Sequence, residues 1–261
     1  YINFPVVEPD VSYNYGQDQQ QYGELFLPTS GNQHPVIVLV HGGCYREIYS
    51  VKPLGQVARA LADEGFAVWS IEYRRAGNGG DYPTMFLDVA MATDFLREKA
   101  NVHALNLDHV LTVGHSAGGH LALWLAGRHK LPETSPLYIQ NPLVIRAVVA
   151  LAPIADLIYG FEQGQCGDAL TQIMGGTPQT AGEHYTDGSP RELLPLGVPQ
   201  THIIGTADTE MLDNTRPYIE AAQSAGDSAK LITVADVGHF EIVDSTSDVW
   251  HIVRDAIIAY K

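Results

Sequence analysis

A serine between two glycines is the first group in this chain that could do chemistry. Residues 114–118 read Gly-His-Ser-Ala-Gly, between the apolar run His109–Val113 and a helix-forming stretch that ends near Arg128. In such a strand–turn–helix setting the glycines permit a tight turn, which projects the hydroxyl of Ser116 away from the backbone. The free N–H groups at the start of the following helix face any negative charge that forms beside that hydroxyl. The pattern therefore predicts a nucleophilic serine rather than an ordinary glycine-rich turn.

A nucleophilic serine needs a base, and His239 is the histidine best placed to be one. It follows the apolar run Ala229–Val234 and precedes the last helix-period segment. Loops at the carboxyl ends of strands are where open α/β sheets place functional groups. His184 is the alternative that remains open. His115 should turn its side chain away from the serine, and it is kept only as a candidate substrate-binding residue.

A carboxylate must hold the imidazole in the correct tautomer, and Asp208 is the predicted one. It closes the segment Ile203–Asp208 directly after a strand. The chain order serine, aspartate, histidine is one of the known orders of such triads. Glu210 and Asp213 compete from the same loop, but both are better explained as residues that cap or solvate the next helix.

An acyl-transfer site also needs donors for the oxyanion. One is the backbone N–H of Ala117, which follows the nucleophile. The others are expected in His41-Gly42-Gly43-Cys44, directly after the apolar run Val36–Val40. Paired glycines let a backbone approach a substrate closely and turn its N–H groups inward. The alternative is a tight turn with no catalytic role.

The elements that must position these groups are short apolar runs that alternate with helix-period segments. This alternation predicts one α/β domain over residues 1–261, with a mostly parallel sheet covered by helices on both faces. The predicted strands, all expected to be buried on both faces, are Val36–Val40, Ala67–Ile71, His109–Val113, Arg146–Leu151, Gln200–Ile204 and Ala229–Val234. Residues 10–30 predict a leading antiparallel hairpin. Residues 155–195, rich in Gly, Gln, Thr and Pro, predict a small cap over the ligand crevice.

These segments together resemble the α/β-hydrolase superfamily, and within it the small-cap carboxylesterases and kynurenine-formamidase-like enzymes whose oxyanion motif begins His-Gly-Gly. The segments that carry the resemblance are His41–Cys44, Ile71–Arg75, Gly114–Gly119, Gly205–Asp208 and Gly238–Phe240. The resemblance implies a triad of Ser116, Asp208 and His239. It further implies hydrolysis of small esters or formamides through an acyl-enzyme, with no cofactor and no metal.

The same resemblance implies that the N–H groups of Gly43, Cys44 and Ala117 surround the oxyanion. Cys44 stands where hormone-sensitive-lipase-like enzymes carry a third glycine, which narrows the acyl site. Either Gly43 or Cys44 could then be the better donor. Tyr45 is a candidate substrate-binding residue. Arg46 either lines the pocket or pairs with a surface carboxylate.

Composition excludes several other classes of function. The formal net charge is −15, which opposes binding to nucleic acids or anionic membranes. No apolar run approaches the ~20 residues that a membrane span needs. Two cysteines, Cys44 and Cys166, are too few for a disulfide framework and lack metal-site spacing. We expect a cytoplasmic protein, with secretion left open because the sequence begins at Tyr1 and a removed segment could precede it.

Two other classes of protein stay open at this point. A non-catalytic small-molecule receptor on the same fold is one, although a pure binder has no need for three ordered catalytic groups. A serine exopeptidase is the other, although such enzymes usually carry a large additional domain. The partner is expected to be a small ester or amide. A monomer and a homodimer are equally compatible with the sequence.

Overall fold

Eight strands form one sheet that is parallel over most of its width. The computed structural model describes residues 4–261. The strands are Val11–Asn14 (β1), Tyr22–Phe26 (β2), His34–Val40 (β3), Ala67–Ile71 (β4), Leu105–His115 (β5), Ala147–Leu151 (β6), Gln200–Gly205 (β7) and Ala229–Val234 (β8). Their order across the sheet is β1-β2-β4-β3-β5-β6-β7-β8. The leading hairpin and the β2–β4 pair are antiparallel, and the remaining pairs are parallel.

Helices fill most of the connections between the parallel strands. Within residues 4–261 they are Gly55–Asp63 (α1), Thr84–Asp94 (α2), Leu96–Lys99 (α3), Ala117–Gly127 (α4), Leu157–Glu162 (α5), Asp168–Met174 (α6), Gly182–Gly188 (α7), Thr209–Ser224 (α8) and Trp250–Ile258 (α9). In this part of the chain, none of them is both long and apolar enough to cross a bilayer.

The centre of the core lies where α4 crosses the middle of the sheet. All residues of α4 are buried, and the helix packs on β3, β5 and β6. A helix that is apolar all round is stable only when protein surrounds it. The nucleophile predicted at its start therefore stands at the end of a fully buried helix.

The predicted strands are found, and most of their ends agree within a residue or two. β5 is longer than predicted, because it begins at Leu105 instead of His109. The prediction that every strand is buried on both faces is wrong for β8. This strand pairs with β7 at the edge of the sheet, and it exposes Lys230 and Thr233 to solvent.

Three short helices occupy the connection between β6 and β7, where the sequence predicted a cap. They are α5, α6 and α7, and they lie within residues 157–188. Their length of six or seven residues each explains why the sequence showed little helical periodicity there, since fewer than two full turns leave no repeated apolar spacing. We call residues 155–195 the cap segment.

Candidate active site

Ser116 lies in a strained turn between β5 and α4. Its backbone has φ 56° and ψ −121°, a conformation that costs a non-glycine residue about 1–3 kcal/mol. The Ser116 N–H donates to the Leu151 carbonyl at 2.8 Å, and the Ser116 carbonyl accepts from the His120 N–H at 3.1 Å. The Ser116 hydroxyl makes no capping bond to α4. This turn is the geometry that the glycine–serine pattern predicted.

His239 and Asp208 form the hydrogen-bonded pair that the sequence predicted. The two atoms, His239 Nδ1 and Asp208 Oδ2, are 2.5 Å apart. Because an ionised carboxylate can only accept, the imidazole donates its Nδ1–H. The neutral ring then carries its lone pair on Nε2, the atom a general base uses. Asp208 stands at the start of α8 but its side chain makes no capping bond there, so the carboxylate serves the histidine instead.

The loops that carry these two residues are tied to each other. The Asp236 N–H donates to Thr206 Oγ1 at 2.9 Å, and the Ala207 N–H donates to the Val237 carbonyl at 3.0 Å. These bonds fix the loop after β7 against the loop after β8. Asp213, the competing acid, points from α8 toward solvent.

The side chain of His115 contacts the loop that carries His239. Its side chain is buried, and its Nε2 lies 2.8 Å from the His239 carbonyl oxygen. Burial holds the pKa of His115 well below its ordinary value, so the ring is neutral and must donate its Nε2–H to that carbonyl. The two imidazoles also lie 4.5 Å apart between ring centroids. The structure thus gives His115 a positioning contact with the backbone of His239, besides a place in the cavity wall.

Three consecutive residues of the predicted oxyanion loop have positive φ. The angles are 114° at Gly43, 48° at Cys44 and 56° at Tyr45. The loop also packs directly on the serine turn: a Cβ on Gly42 would lie 2.5 Å from the His115 carbonyl oxygen and 3.0 Å from Ser116 Cβ. Only glycine fits this close approach. A strained loop of this kind persists only where surrounding contacts hold it.

A disulfide between Cys44 and Cys166 is one of those contacts. It joins the oxyanion loop to the cap segment across 122 residues of sequence, with the two Cα atoms 5.1 Å apart. In the sequence both cysteines were set aside, because a single pair has no readable spacing. The sequence predicted no disulfide framework, and the structure has this single bridge, whose two positions meet only in the folded chain. Arg46 adds a second link to the cap, an ion pair with Asp168 at 2.6 Å on the surface.

Tyr45 anchors the same loop from inside, and its prediction as a substrate-binding residue is wrong. Its side chain is fully buried. Burial lowers the pKa of His120 to about 4, so this ring is neutral and donates its Nε2–H to the Gly188 carbonyl at 2.8 Å. His120 Nδ1 must then accept the hydroxyl proton of Tyr45 at 3.0 Å. Tyr45 faces α4 and α7 rather than the cavity at Ser116.

A buried carboxylate supports the start of the loop. Glu72 Oε2 accepts from the Val51 N–H at 3.1 Å, and its Oε1 lies 2.9 Å from His41 Nε2. Tyr73 donates its hydroxyl to the His41 carbonyl at 2.6 Å. These groups lie behind the loop and have no access to a substrate, so their role is to hold the backbone at His41.

Five of the predicted residues line a small cavity of about 110 Å³: Gly43, Cys44, His115, Ser116 and His239. Its wall is formed by Gly43, Cys44, Tyr49, His115, Ser116, His239 and Phe240. No sequence motif predicts Tyr49 in this wall, and Phe240, which follows the histidine directly, had been given no role. His184, the alternative base, lies elsewhere: its ring stacks on Tyr82 at 3.8 Å between centroids.

No part of the described chain gathers ligands for a metal ion. Among residues 4–261, no group of three or more His, Cys, Asp or Glu side chains is arranged to hold one.

Comparison with curated proteins finds two partial likenesses. A kynurenine formamidase from Danio rerio is 23% identical over 242 residues, which cover 90% of this chain and 75% of that protein. A non-reducing polyketide synthase from Emericella nidulans is 29% identical over 132 residues. That match spans 46% of this chain and only 5% of the synthase.

Comparison with solved structures and family models identifies the fold of the chain and its family. Esterase B from Lactobacillus rhamnosis, solved with an inhibitor bound, superposes with a TM-score of 0.84 at 20% identity, covering 98% of this chain and 88% of the esterase. The likeness shows that the fold is that of an α/β-hydrolase, as predicted. The family model named BD-FAE matches residues 24–216, a span that runs from β2 into α8 and includes both Ser116 and Asp208. The chain belongs to the BD-FAE family.

Proposed function

We propose that this protein is a carboxylic ester hydrolase that works through an acyl-enzyme on Ser116. The observation that carries the proposal is that Ser116 and His239 line one cavity while Asp208 is hydrogen-bonded to His239. Ser116 stands in the strained turn, His239 lines the same cavity, and Asp208 holds His239 in the tautomer that leaves Nε2 free to accept a proton. A protein that only bound small molecules would have no need for this arrangement.

The reaction divides into two steps. Ser116 Oγ attacks the acyl carbonyl carbon while His239 Nε2 takes the hydroxyl proton, and the C–O bond to the alcohol breaks as His239 returns that proton to the leaving oxygen. Water then attacks the acyl-enzyme with the same histidine as base, which releases the acid and regenerates the serine. Asp208 stabilises the imidazolium present between these proton transfers.

Backbone N–H groups stabilise the oxyanion in both steps. Ala117 is the first residue of α4, so its N–H has no partner within the helix. The second donor comes from Gly43 or Cys44, whose positive φ angles turn the backbone of the loop. One such donor contributes about 3–4 kcal/mol to transition-state stabilisation.

The size of the cavity favours short acyl groups. Its 110 Å³ corresponds to about four water molecules in the liquid, and it is smaller than a cavity of about 150 Å³ that is known to bind benzene. We therefore propose small carboxylic esters as substrates, with acetyl to butyryl groups preferred. Each buried methylene adds about 0.8 kcal/mol only until the cavity is full.

A second candidate activity is the hydrolysis of an N-formyl arylamide. The likeness to a kynurenine formamidase extends over most of both chains, and a formyl group is the smallest acyl group the cavity could receive. The same triad would perform this reaction, with an amine in place of the alcohol.

Covalent labelling and a substrate panel test both candidates. A fluorophosphonate should attach to the wild-type protein at Ser116 and should fail to attach to Ser116→Ala, while Ser224→Ala, an exposed control on α8, should label like the wild type. p-Nitrophenyl acetate, butyrate and decanoate, with N-formylkynurenine beside them, then rank the substrates. Ester turnover that survives in Ser116→Ala would refute the assignment of the nucleophile.

The disulfide is informative about the cellular compartment of the protein. Disulfides persist in oxidising compartments and are rare in the cytosol, so the Cys44–Cys166 bridge favours export over the cytoplasm expected from the sequence. Thiol alkylation in intact producing cells, followed by mass spectrometry, distinguishes the two. The partner is proposed to be the substrate alone, and a homodimer stays a prediction that sedimentation would test.

A further inference from the structure

Tyr49 stands between the Ser116 cavity and a second cavity of similar size. The second cavity has a volume of about 100 Å³ and lies at the surface, where Val6 and Ile48 are exposed. Its wall is formed by Phe4, Val6, Ile48, Tyr49, Ser50, Lys52 and Pro53. Tyr49 lines both cavities. The triad does not use the second cavity, which lies on the far side of this one aromatic side chain.

The ring of Tyr49 is held against the predicted oxyanion loop. The Tyr49 N–H donates to the Arg46 carbonyl at 3.2 Å. A Cβ built on Gly43 would overlap the Cβ and ring atoms of Tyr49, so the ring lies directly on the Gly43 backbone. A substrate whose carbonyl oxygen points at this loop must pass close to the tyrosine.

The geometry of the reaction decides which half of the ester faces Tyr49. His239 protonates the leaving oxygen, so the alcohol leaves on the side of His239 and Phe240, where Phe240 is 44% exposed. The tetrahedral carbon bears three groups besides Ser116 Oγ: the leaving oxygen near His239, the oxyanion at the backbone donors, and the acyl group. Since the leaving group takes the side of His239 and Phe240, we assign the acyl group to the part of the wall formed by Tyr49. An acyl group too large for the Ser116 cavity therefore meets the tyrosine ring.

We propose that Tyr49 sets the upper size of the acyl group, and that the second cavity receives larger acyl groups once this ring is removed. The proposal rests on the ester hydrolysis proposed above. A cavity known to bind benzene has a volume of about 150 Å³, larger than the Ser116 cavity, so a benzoyl group is a suitable large acyl probe. The two cavities joined through the position of the ring would hold it.

The experiment compares acyl-group selectivity in matched variants. For wild type, Tyr49→Ala and Tyr49→Phe, kcat/KM is measured on p-nitrophenyl acetate and p-nitrophenyl benzoate. Tyr49→Ala should raise the benzoate-to-acetate ratio by at least about tenfold, the scale on which pocket size discriminates substrates. Tyr49→Phe keeps the ring and should leave the ratio unchanged. The ratio of benzyl acetate to ethyl acetate, which varies only the alcohol, should be the same in all three proteins.

Each other outcome has a definite meaning. An unchanged benzoate-to-acetate ratio in Tyr49→Ala, with acetate still cleaved, overturns the proposal, as does a change confined to the alcohol series. If Tyr49→Ala does not fold, the milder truncation Tyr49→Leu gives the same test. A wild-type protein that cleaves no ester at all would instead refute the proposed function, before any variant is compared.

Discussion

Removing the disulfide should cost stability and activity by separate routes. The perturbation is the double variant Cys44→Ser with Cys166→Ser, which keeps the size of both side chains. The bridge closes 122 residues, and the chain-entropy relation for a loop of that length gives a stabilisation of about 5 kcal/mol. That is a large part of the free energy of unfolding of an ordinary domain, which is about 5–15 kcal/mol.

The loss of activity follows from the conformation of the loop. Cys44 is the middle one of three residues with positive φ, and the bridge to the cap segment opposes their relaxation. Displacement of a catalytic backbone by about 1 Å can cost 10²-fold in rate. We expect kcat to fall by up to that factor, with KM changed far less because the loop acts on the transition state.

Urea unfolding followed by circular dichroism measures the first effect, and steady-state ester hydrolysis measures the second. Arg46→Ala is the matched control. It removes the other link between loop and cap, an exposed ion pair of a kind that contributes about 1 kcal/mol or less. Two free thiols in the denatured wild-type protein would show that the bridge is absent. An unchanged unfolding midpoint in the double variant would refute the expected stabilisation of about 5 kcal/mol by the disulfide.

Substitutions at three further residues, two of them with a matched control, test other parts of the site and core. Asp208→Asn should lower kcat by about 10⁴-fold through loss of the histidine tautomer, while Asp213→Asn should change little; the reverse pattern would show that the acid is misassigned. Gly42→Ala places a Cβ 2.5 Å from a backbone carbonyl oxygen and should lower kcat by about 10²-fold, whereas Gly182→Ala, whose Cβ meets nothing within 4 Å, should not. Burial lowers the pKa of His202 to about 3, so below pH 6.5 the unfolded chain takes up a proton that the folded protein does not. The His202 side chain therefore lowers the free energy of unfolding by about 2 kcal/mol at pH 5 relative to pH 7. In His202→Gln, the change in the free energy of unfolding between these two pH values, measured by urea titration, should be smaller by that amount.

The parts of the fold that sequence reasoning predicted are those that local physics determines. The apolar run Ala67–Ile71 became β4 with the same ends. The serine turn was predicted because glycines on both sides of a serine at a strand–helix junction are typical of a turn that exposes a nucleophile. Asp208 and His239 were predicted as a pair from their positions after consecutive strands, since parallel strands bring their carboxyl ends to one edge of the sheet. The structure shows the hydrogen bond between them, and their catalytic roles stay a proposal.

The parts that sequence reasoning missed depend on contacts between distant segments. Cys44 carries no sign that Cys166 will reach it, because the pairing is decided by where the cap segment folds back. Tyr45 was taken for a pocket residue from its place in the loop, whereas the positive φ of this residue turns its side chain into the core. Tyr49 lies only four residues further on, yet it forms the cavity wall that Tyr45 was expected to provide.

These contacts explain how a loop with two strained residues, Cys44 and Tyr45, keeps one conformation. The disulfide holds it from the cap segment, the Tyr45 hydroxyl bond to His120 holds it from α4, and a backbone bond from the Ala76 N–H to the Tyr45 carbonyl at 2.8 Å holds it from the loop after β4. Strain of about 1–3 kcal/mol per residue is smaller than the combined effect of three anchors in separate elements. The anchors share no atoms with the triad, so weakening one of them should lower kcat while the Asp208–His239 pair stays intact.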